Sequence, residues 1–191
     1  KQILDSGNIE ILGMTWYFNE NNPLSGFTEW IDYALQNNPN IKIFVSIPPI
    51  DFPADWQQRA EDYGYNNIRD LYEHVVSDLT HKAVIDQLRE LYPSTEIFTL
   101  PTGWATFDLV DQYENNLLLD DISLFGSYDD SIFRDTKGHQ GKIVINTGAL
   151  IWLNGLYGVN LRTNDSDTGF NTDLHSIAEN IMDLHDQNYK Q

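Results

Sequence analysis

The sequence predicts an α/β domain built on a doubly wound, mostly parallel sheet. Three observations lead there. Short apolar runs of strand length alternate with longer stretches of helical spacing, the pattern of strands joined by crossover helices. The runs are near-continuous in apolar residues, as strands buried on both faces are. The chain has 191 residues, 41% of them hydrophobic, which suits one domain with a packed core.

The elements follow in order. Residues 9–15 (IEILGMT) form a first buried strand, and 19–25 (NENNPLS) a polar turn. Phe27, Trp30, Ile31, Ala34 and Leu35 recur at helical spacing until Asn37-Asn38-Pro39-Asn40 ends the helix. Residues 41–47 (IKIFVSI) form a second strand, stopped at Pro48-Pro49 because proline cannot donate to a central ladder. Residues 51–67 read as a long polar and aromatic connection.

A helix then carries Ile68, Leu71, Val75 and Leu79 on one face, continues through Ile85, Leu88 and Leu91, and ends at Pro93. Residues 96–100 (EIFTL) make a third strand, closed by Pro101 and Gly103. Residues 106–119 read as a helix, 120–137 as an acidic loop, and 139–157 as a buried helix ended by Gly155 and Gly158. The final amphipathic helix carries Leu174, Ile177, Ala178, Ile181 and Met182, with Thr172 or Asp173 as its N-cap.

Three strands are few for a doubly wound sheet. The chain also opens Lys-Gln-Ile-Leu-Asp, without an initiator Met or a visible signal peptide. The expectation is a single domain over 1–191 whose first strands lie before Lys1, with 161–191 a C-terminal loop and helix.

Charge narrows the partners. With 29 acids against 11 Lys and Arg the formal net charge is −18. The cations are scattered, so the basic stripe that a nucleic acid needs is missing, and anionic membrane surfaces are disfavoured for the same reason. No apolar run approaches the ~18 residues that cross a bilayer. With no cysteine, disulfides, thiolate metal sites and a cysteine nucleophile are excluded.

Ligands of open α/β sheets bind beyond the carboxyl ends of the strands. That rule selects residues 16–22, 48–56 and 101–104, each with a Trp: Trp16, Trp56 and Trp104. Aromatic rings beside polar groups suit a sugar or an aryl ester; the same rings could equally cap the core.

The most informative stretch is 131–141 (SIFRDTKGHQG). A carboxylate close to an imidazole can hold it in one tautomer, so that the ring acts as a general base. Asp135 would orient and His139 would take the proton; alternatively Asp135 caps the following helix. His74 and His81, seven residues apart, read as a solvated helix face, and His175 and His185 as helix-surface polarity.

Residues 164–169 (NDSDTG) resemble a calcium loop but lack its first-, third- and fifth-position acids and its closing Glu, so they read as a turn. Asn164-Asp165-Ser166 is also a glycosylation sequon. No phosphate-binding glycine loop and no Gly-x-Ser-x-Gly elbow are present, and no cofactor or metal is implied.

Four stretches resemble the SGNH (GDSL-like) hydrolase superfamily: LDSGNIEIL at 4–12, NPNIKIFV at 38–45, LPTGWA at 100–105 and FRDTKGH at 133–139. The resemblance covers about residues 4–160. It implies a flavodoxin-like fold, a secreted or periplasmic ester hydrolase, Asp135 and His139 as catalytic partners, and Asn19 as an oxyanion donor.

Two departures accompany it. The Asp-to-His spacing is four rather than the family's three, and the block with the nucleophilic Ser is absent. The expected function is therefore an ester hydrolase acting on acylated carbohydrate, with the Ser supplied from outside this sequence. Trp16 and Trp104 would then contact substrate. The alternative is a non-catalytic hydrolase-like domain that binds carbohydrate or another partner.

Overall fold

The computed structural model describes residues 2–16 and 24–191. About half of the chain is helical, and every described strand pairs in parallel, in one three-stranded and one two-stranded sheet. The α/β class read from the alternation holds. The chain packs as two compact units. One comprises Lys1–Pro48, Glu73–Leu100 and Asp186–Gln191; the other comprises Pro49–Tyr72 and Pro101–His185.

The first unit holds the three predicted strands, β1 (Ile11–Thr15), β2 (Lys42–Ser46) and β3 (Ile97–Leu100), in the order β1-β2-β3. Ile11 faces Lys42 across the first pair, and Ile43 faces Ile97 across the second. Ile43, Phe44 and Val45 of the central strand are buried, which is why β2 reads as an unbroken apolar run. The reversal of strand order that makes a sheet doubly wound is not present among the described strands.

Helix α1 (Ser25–Asn37) buries Ile31 and Ala34. It stops at Asn38, which turns extended ahead of Pro39 as a pre-proline residue must.

The helix expected after residue 67 is present over 68–91, but its centre is not α-helical. Between α3 (Ile68–His74) and α4 (Asp86–Leu91), residues Val75–Ile85 form a π-helix, and the Thr80 hydroxyl donates to the Val75 carbonyl five residues back at 2.8 Å. This corrects the reading of His74 and His81 as one solvated face. The wider turn rotates His81 off the face of His74. His81 is buried, stacks on Tyr189 with centroids 3.8 Å apart and lies 3.1 Å from the Thr99 hydroxyl. His74 stays at the surface, 3.0 Å from Asp78.

The end of the chain packs in the same unit. Arg89 donates to the Ile97 carbonyl from Nε at 2.9 Å and to the Asn188 carbonyl at 2.9 Å. The Tyr189 hydroxyl donates to the Asp86 carboxylate at 3.0 Å. Burial first, and then the carboxylate of Asp86, push that phenol up to about 12.

The second unit departs further from expectation. Part of the expected connection 51–67 is helical: a 3-10 turn at Pro53–Asp55 leads into α2 (Trp56–Asp62), whose inner face is only Trp56 and Ala60. So thin an apolar stripe left no periodic signal.

Helix α5 (Trp104–Glu114) ends before the expected Leu119, because Asn116 takes a left-handed φ of 54° and Leu117 and Leu119 turn outward. The expected acidic loop contains β4 (Ser123–Phe125) and β5 (Ser131–Phe133), paired in parallel although only 126–130 joins them. Each has three residues, too few for a period-2 pattern to show.

Helix α6 (Lys142–Tyr157) packs on α7 (Leu174–Leu184). Gly158, at φ 63°, closes α6, whereas Gly155, also expected to end it, lies within the helix; Asp173 caps α7 by accepting from the Ser176 amide at 3.0 Å. An aromatic cluster centres the unit: Trp56 stacks on Phe107 at 4.6 Å and meets Phe133 edge-on at 5.6 Å. No helix among the described residues is long and apolar enough to cross a membrane.

Candidate functional site

The site grows out of β5. After Phe133 the chain turns and comes back, so that Gln140 bridges Phe133 antiparallel. The Arg134 amide donates to the His139 carbonyl at 2.7 Å and the Gly141 amide to the Ile132 carbonyl at 2.8 Å, closing the turn at its base. Gln140 ties the returning arm to α5 through Thr106, at 3.2 Å.

At the tip, one oxygen of Asp135, Oδ1, accepts from the amides of Lys137, Gly138 and His139 at 3.1, 3.1 and 3.2 Å. The other, Oδ2, lies 2.5 Å from Nδ1 of His139. The hydrogen bond to His139, followed by the backbone amides, holds the Asp135 carboxyl below the usual carboxylate range. The carboxylate is therefore an ion that accepts from Nδ1–H, and the imidazole is held in the tautomer that leaves Nε2 to exchange protons. Nε2 has no hydrogen-bond partner among the described residues, and 60% of the His139 side chain is exposed.

The alternative role for Asp135, capping α6, falls to another residue: Gly141 occupies that position. Asp135 and His139 are thus brought together by a turn, and the four-residue spacing is the span of that turn rather than of a helical repeat.

A second segment meets the turn. The Phe52 amide donates to the Lys137 carbonyl at 2.8 Å. Gly138, at φ 101°, lies so close to Pro53 that a Cβ there would sit 3.0 Å from the proline Cδ. Phe52 itself is left-handed, φ 59° and ψ 65°, immediately before a proline. For a non-glycine residue that conformation costs about 1–2 kcal/mol, and a following proline favours extended backbone instead. Phe52 and its contact with the turn were not visible in the sequence: no residue type there signals a positive φ.

The other predicted site residues are placed as follows. Trp104 opens α5, edge-on to Tyr72 at 4.7 Å and covered by the Arg69 guanidinium at 4.9 Å from its ring centroid. Arg69 is itself held by Asp108 and Asp111 at 2.8 and 2.7 Å. Burial raises the Asp108 carboxyl above its ordinary range, against the opposing pull of Arg69.

Trp16 belongs to the first unit, is only 3% exposed, and extends the β1–β2 ladder by donating its amide to the Ser46 carbonyl. Trp56 is core, with its indole N–H on the Ile50 carbonyl at 2.9 Å. Asn19 lies outside the described residues.

Residues 164–169 fold on themselves: Asn164 Oδ1 lies 2.9 Å from His175 Nε2, and the Gly169 amide donates to Asp167 at 2.7 Å. Among the described residues no three or more His, Asp or Glu converge as a metal ion would require. Comparison with protein-family models, curated proteins and solved structures finds no match.

Proposed function

We propose that Asp135 and His139 are the acid–base pair of a serine-dependent ester hydrolase of the SGNH kind, acting on acylated carbohydrate. The observation that carries the reading is the 2.5 Å Asp135–His139 contact on a carboxylate whose other oxygen is occupied by three amides. That geometry fixes the tautomer and stabilises the imidazolium formed when Nε2 takes a proton.

In the reaction, Nε2 removes the proton of a serine hydroxyl as its oxygen attacks the ester carbonyl. The imidazolium then returns the proton to the leaving alcohol, and water repeats the cycle on the acyl-enzyme. Among the described residues no serine lies at hydrogen-bond distance from His139, so this reading takes the serine from outside the 191 residues. Backbone amides would hold the oxyanion. A flavodoxin-like sheet belongs to the same proposal, supported by the parallel β1-β2-β3 order.

The test is hydrolysis of p-nitrophenyl acetate and of acetylated xylotriose by the natural polypeptide, with a fluorophosphonate to trap the nucleophile. We expect label on a serine, and a loss of about 10²–10⁴ in rate in both Asp135→Asn and His139→Ala. Hydrolysis that survives His139→Ala refutes the proposal.

The openness of the pair, with 60% and 45% of the two side chains exposed, favours a second reading as a non-catalytic carbohydrate-binding domain. That reading expects sugar binding without turnover.

A further inference from the structure

We infer that Phe52 is the sugar-recognition surface of this site, with Arg59 beside it as the hydroxyl-binding group; the inference rests on the proposal that the Asp135–His139 pair acts on acylated carbohydrate.

Phe52 is left-handed ahead of Pro53, a position where glycine or asparagine would sit more easily. What the structure needs there is a backbone amide: Phe52 N–H donates to the Lys137 carbonyl at 2.8 Å, which any residue but proline could do. The side chain is not part of the core, and the residue is 40% exposed. A strained backbone that presents an aromatic ring to solvent is the pattern of a binding surface rather than of packing.

Its place supports this. The Lys137 that accepts from Phe52 lies inside the Asp135–His139 turn, and Gly138 of the same turn lies against Pro53. Gly138 has the left-handed φ of 101°, so both sides of this contact hold unusual backbone.

The second observation is Arg59. In a chain with 29 acids, this half-buried guanidinium makes no ion pair among the described residues. Its one contact of note is the Phe52 ring, 5.9 Å from the centroid. Lying over the ring, it brings up to five N–H donors beside an exposed aromatic residue.

An exposed aromatic ring with a guanidinium at hand suits a pyranose, whose C–H face is apolar and whose rim carries hydroxyls. An aryl group would use the ring but not the guanidinium. Phe52 would therefore set which sugar is held while His139 acts on its ester; it touches substrate without taking part in proton transfer.

The test is titration calorimetry with acetylated xylotriose on the His139→Ala protein, in which the proposed mechanism allows no turnover. Phe52→Gly and Phe52→Asn are each compared in that background, since both residues accept the left-handed backbone. We expect each to weaken binding by about fivefold or more. Phe52→Trp should retain affinity, and the thermal midpoint of Phe52→Gly should not fall. The downfield Nδ1–H resonance of His139, read in the Phe52→Gly single variant, should persist and show the turn intact.

Unchanged affinity in both the Gly and Asn variants overturns the inference. So does an absence of binding to the parent, or loss of affinity in Phe52→Gly accompanied by loss of the Nδ1–H signal, which would make Phe52 a structural prop. Turnover that persists in the His139→Ala background fails the hydrolase proposal instead, and the Phe52 comparison can still be read on a non-hydrolysable xylotriose.

Discussion

Gly141→Ala should be the most damaging single-methyl change near the site. Gly141 stands at the N-cap of α6, directly behind β5. A Cβ built there would lie 1.8 Å from the Ser131 carbonyl oxygen, 2.8 Å from its carbon and 3.4 Å from the Ile132 oxygen. All three are backbone atoms, so no rotamer change relieves the clash. Either strand or helix must retreat by roughly 1.6 Å to reach ordinary contact.

Neither can do so freely. Ser131, Ile132 and Phe133 are buried on the strand side and Ile143 and Val144 on the helix side. The retreat also breaks the 2.8 Å bond from the Gly141 amide to the Ile132 carbonyl. Overpacking of this kind costs about 1–3 kcal/mol and the buried hydrogen bond about 1 more, for about 3 kcal/mol together. In a chain of 191 residues that lowers the thermal midpoint by about 6–12 °C.

Differential scanning calorimetry measures it, with Gly148→Ala as control. Gly148 lies within the same helix, and its added methyl would meet nothing within 4 Å. Alanine there should raise stability by about 0.5–1 kcal/mol. Equal midpoints for Gly141→Ala and the parent would refute the reasoning, and so would a fall in Gly148→Ala.

Two further outcomes follow from the electrostatics of the second unit. Asp120 accepts from the amides of Asn171 and Thr172 at 2.9 and 2.8 Å and from the Thr172 hydroxyl at 2.7 Å. Burial pushes this carboxyl up, but the hydrogen bonds together outweigh it and hold it below its ordinary 3.8. Because the folded value is depressed, its stabilisation is complete above that value and is lost as pH falls through the folded one. Asp120→Ala should cost about 1.5–3 kcal/mol in urea unfolding at neutral pH, and the gap to the parent should close at acid pH.

Arg69→Ala should behave with the same pH sense for a different reason. It leaves Asp108, already raised by burial, without its cation. The variant's deficit should be largest where Asp108 is ionised in the parent and should shrink as pH falls and the carboxyl protonates. A deficit that is flat between pH 7 and pH 4 would show that packing of Arg69 on Trp104 matters more than its charge.

What was legible in the sequence is what side-chain periodicity records. Residues 41–47 give β2 because every neighbour of that strand is protein, and 174–182 give α7 because one face meets α6. Legibility fails where backbone hydrogen bonding rather than side-chain pattern decides the structure. The π-helix at Val75–Ile85 keeps an apolar composition that suits either helix, so His81 was placed on the wrong face. Strands β4 and β5 are too short to alternate. Asp135 and His139 could be paired from their spacing, but the three amides on Asp135 Oδ1 could not, since they exist only once the turn has closed. Phe52 is the extreme case: its φ is positive, and its amide bonds a carbonyl far downstream in the chain, at Lys137.

The turn also explains how the Asp135–His139 contact can be both ordered and open. On a helix, an Asp four residues before a His keeps its carboxylate on a mobile side chain, and burial is the usual means of fixing it. Here the carboxylate is fixed from its own backbone. Oδ1 is saturated by amides, so Oδ2 is the oxygen left for the imidazole, and the tautomer is chosen without any hydrophobic cover.

Water screens an exposed imidazolium and weakens the carboxylate's hold on it, so the pair gains strength only when something excludes water from its outer side. No side chain among the described residues occupies Nε2. On the hydrolase proposal that exclusion would come from the ligand, and the exposed Phe52, whose backbone bonds the same turn, is where the proposal places it. On that proposal an open pair and a strained, solvent-facing Phe52 are two parts of one arrangement.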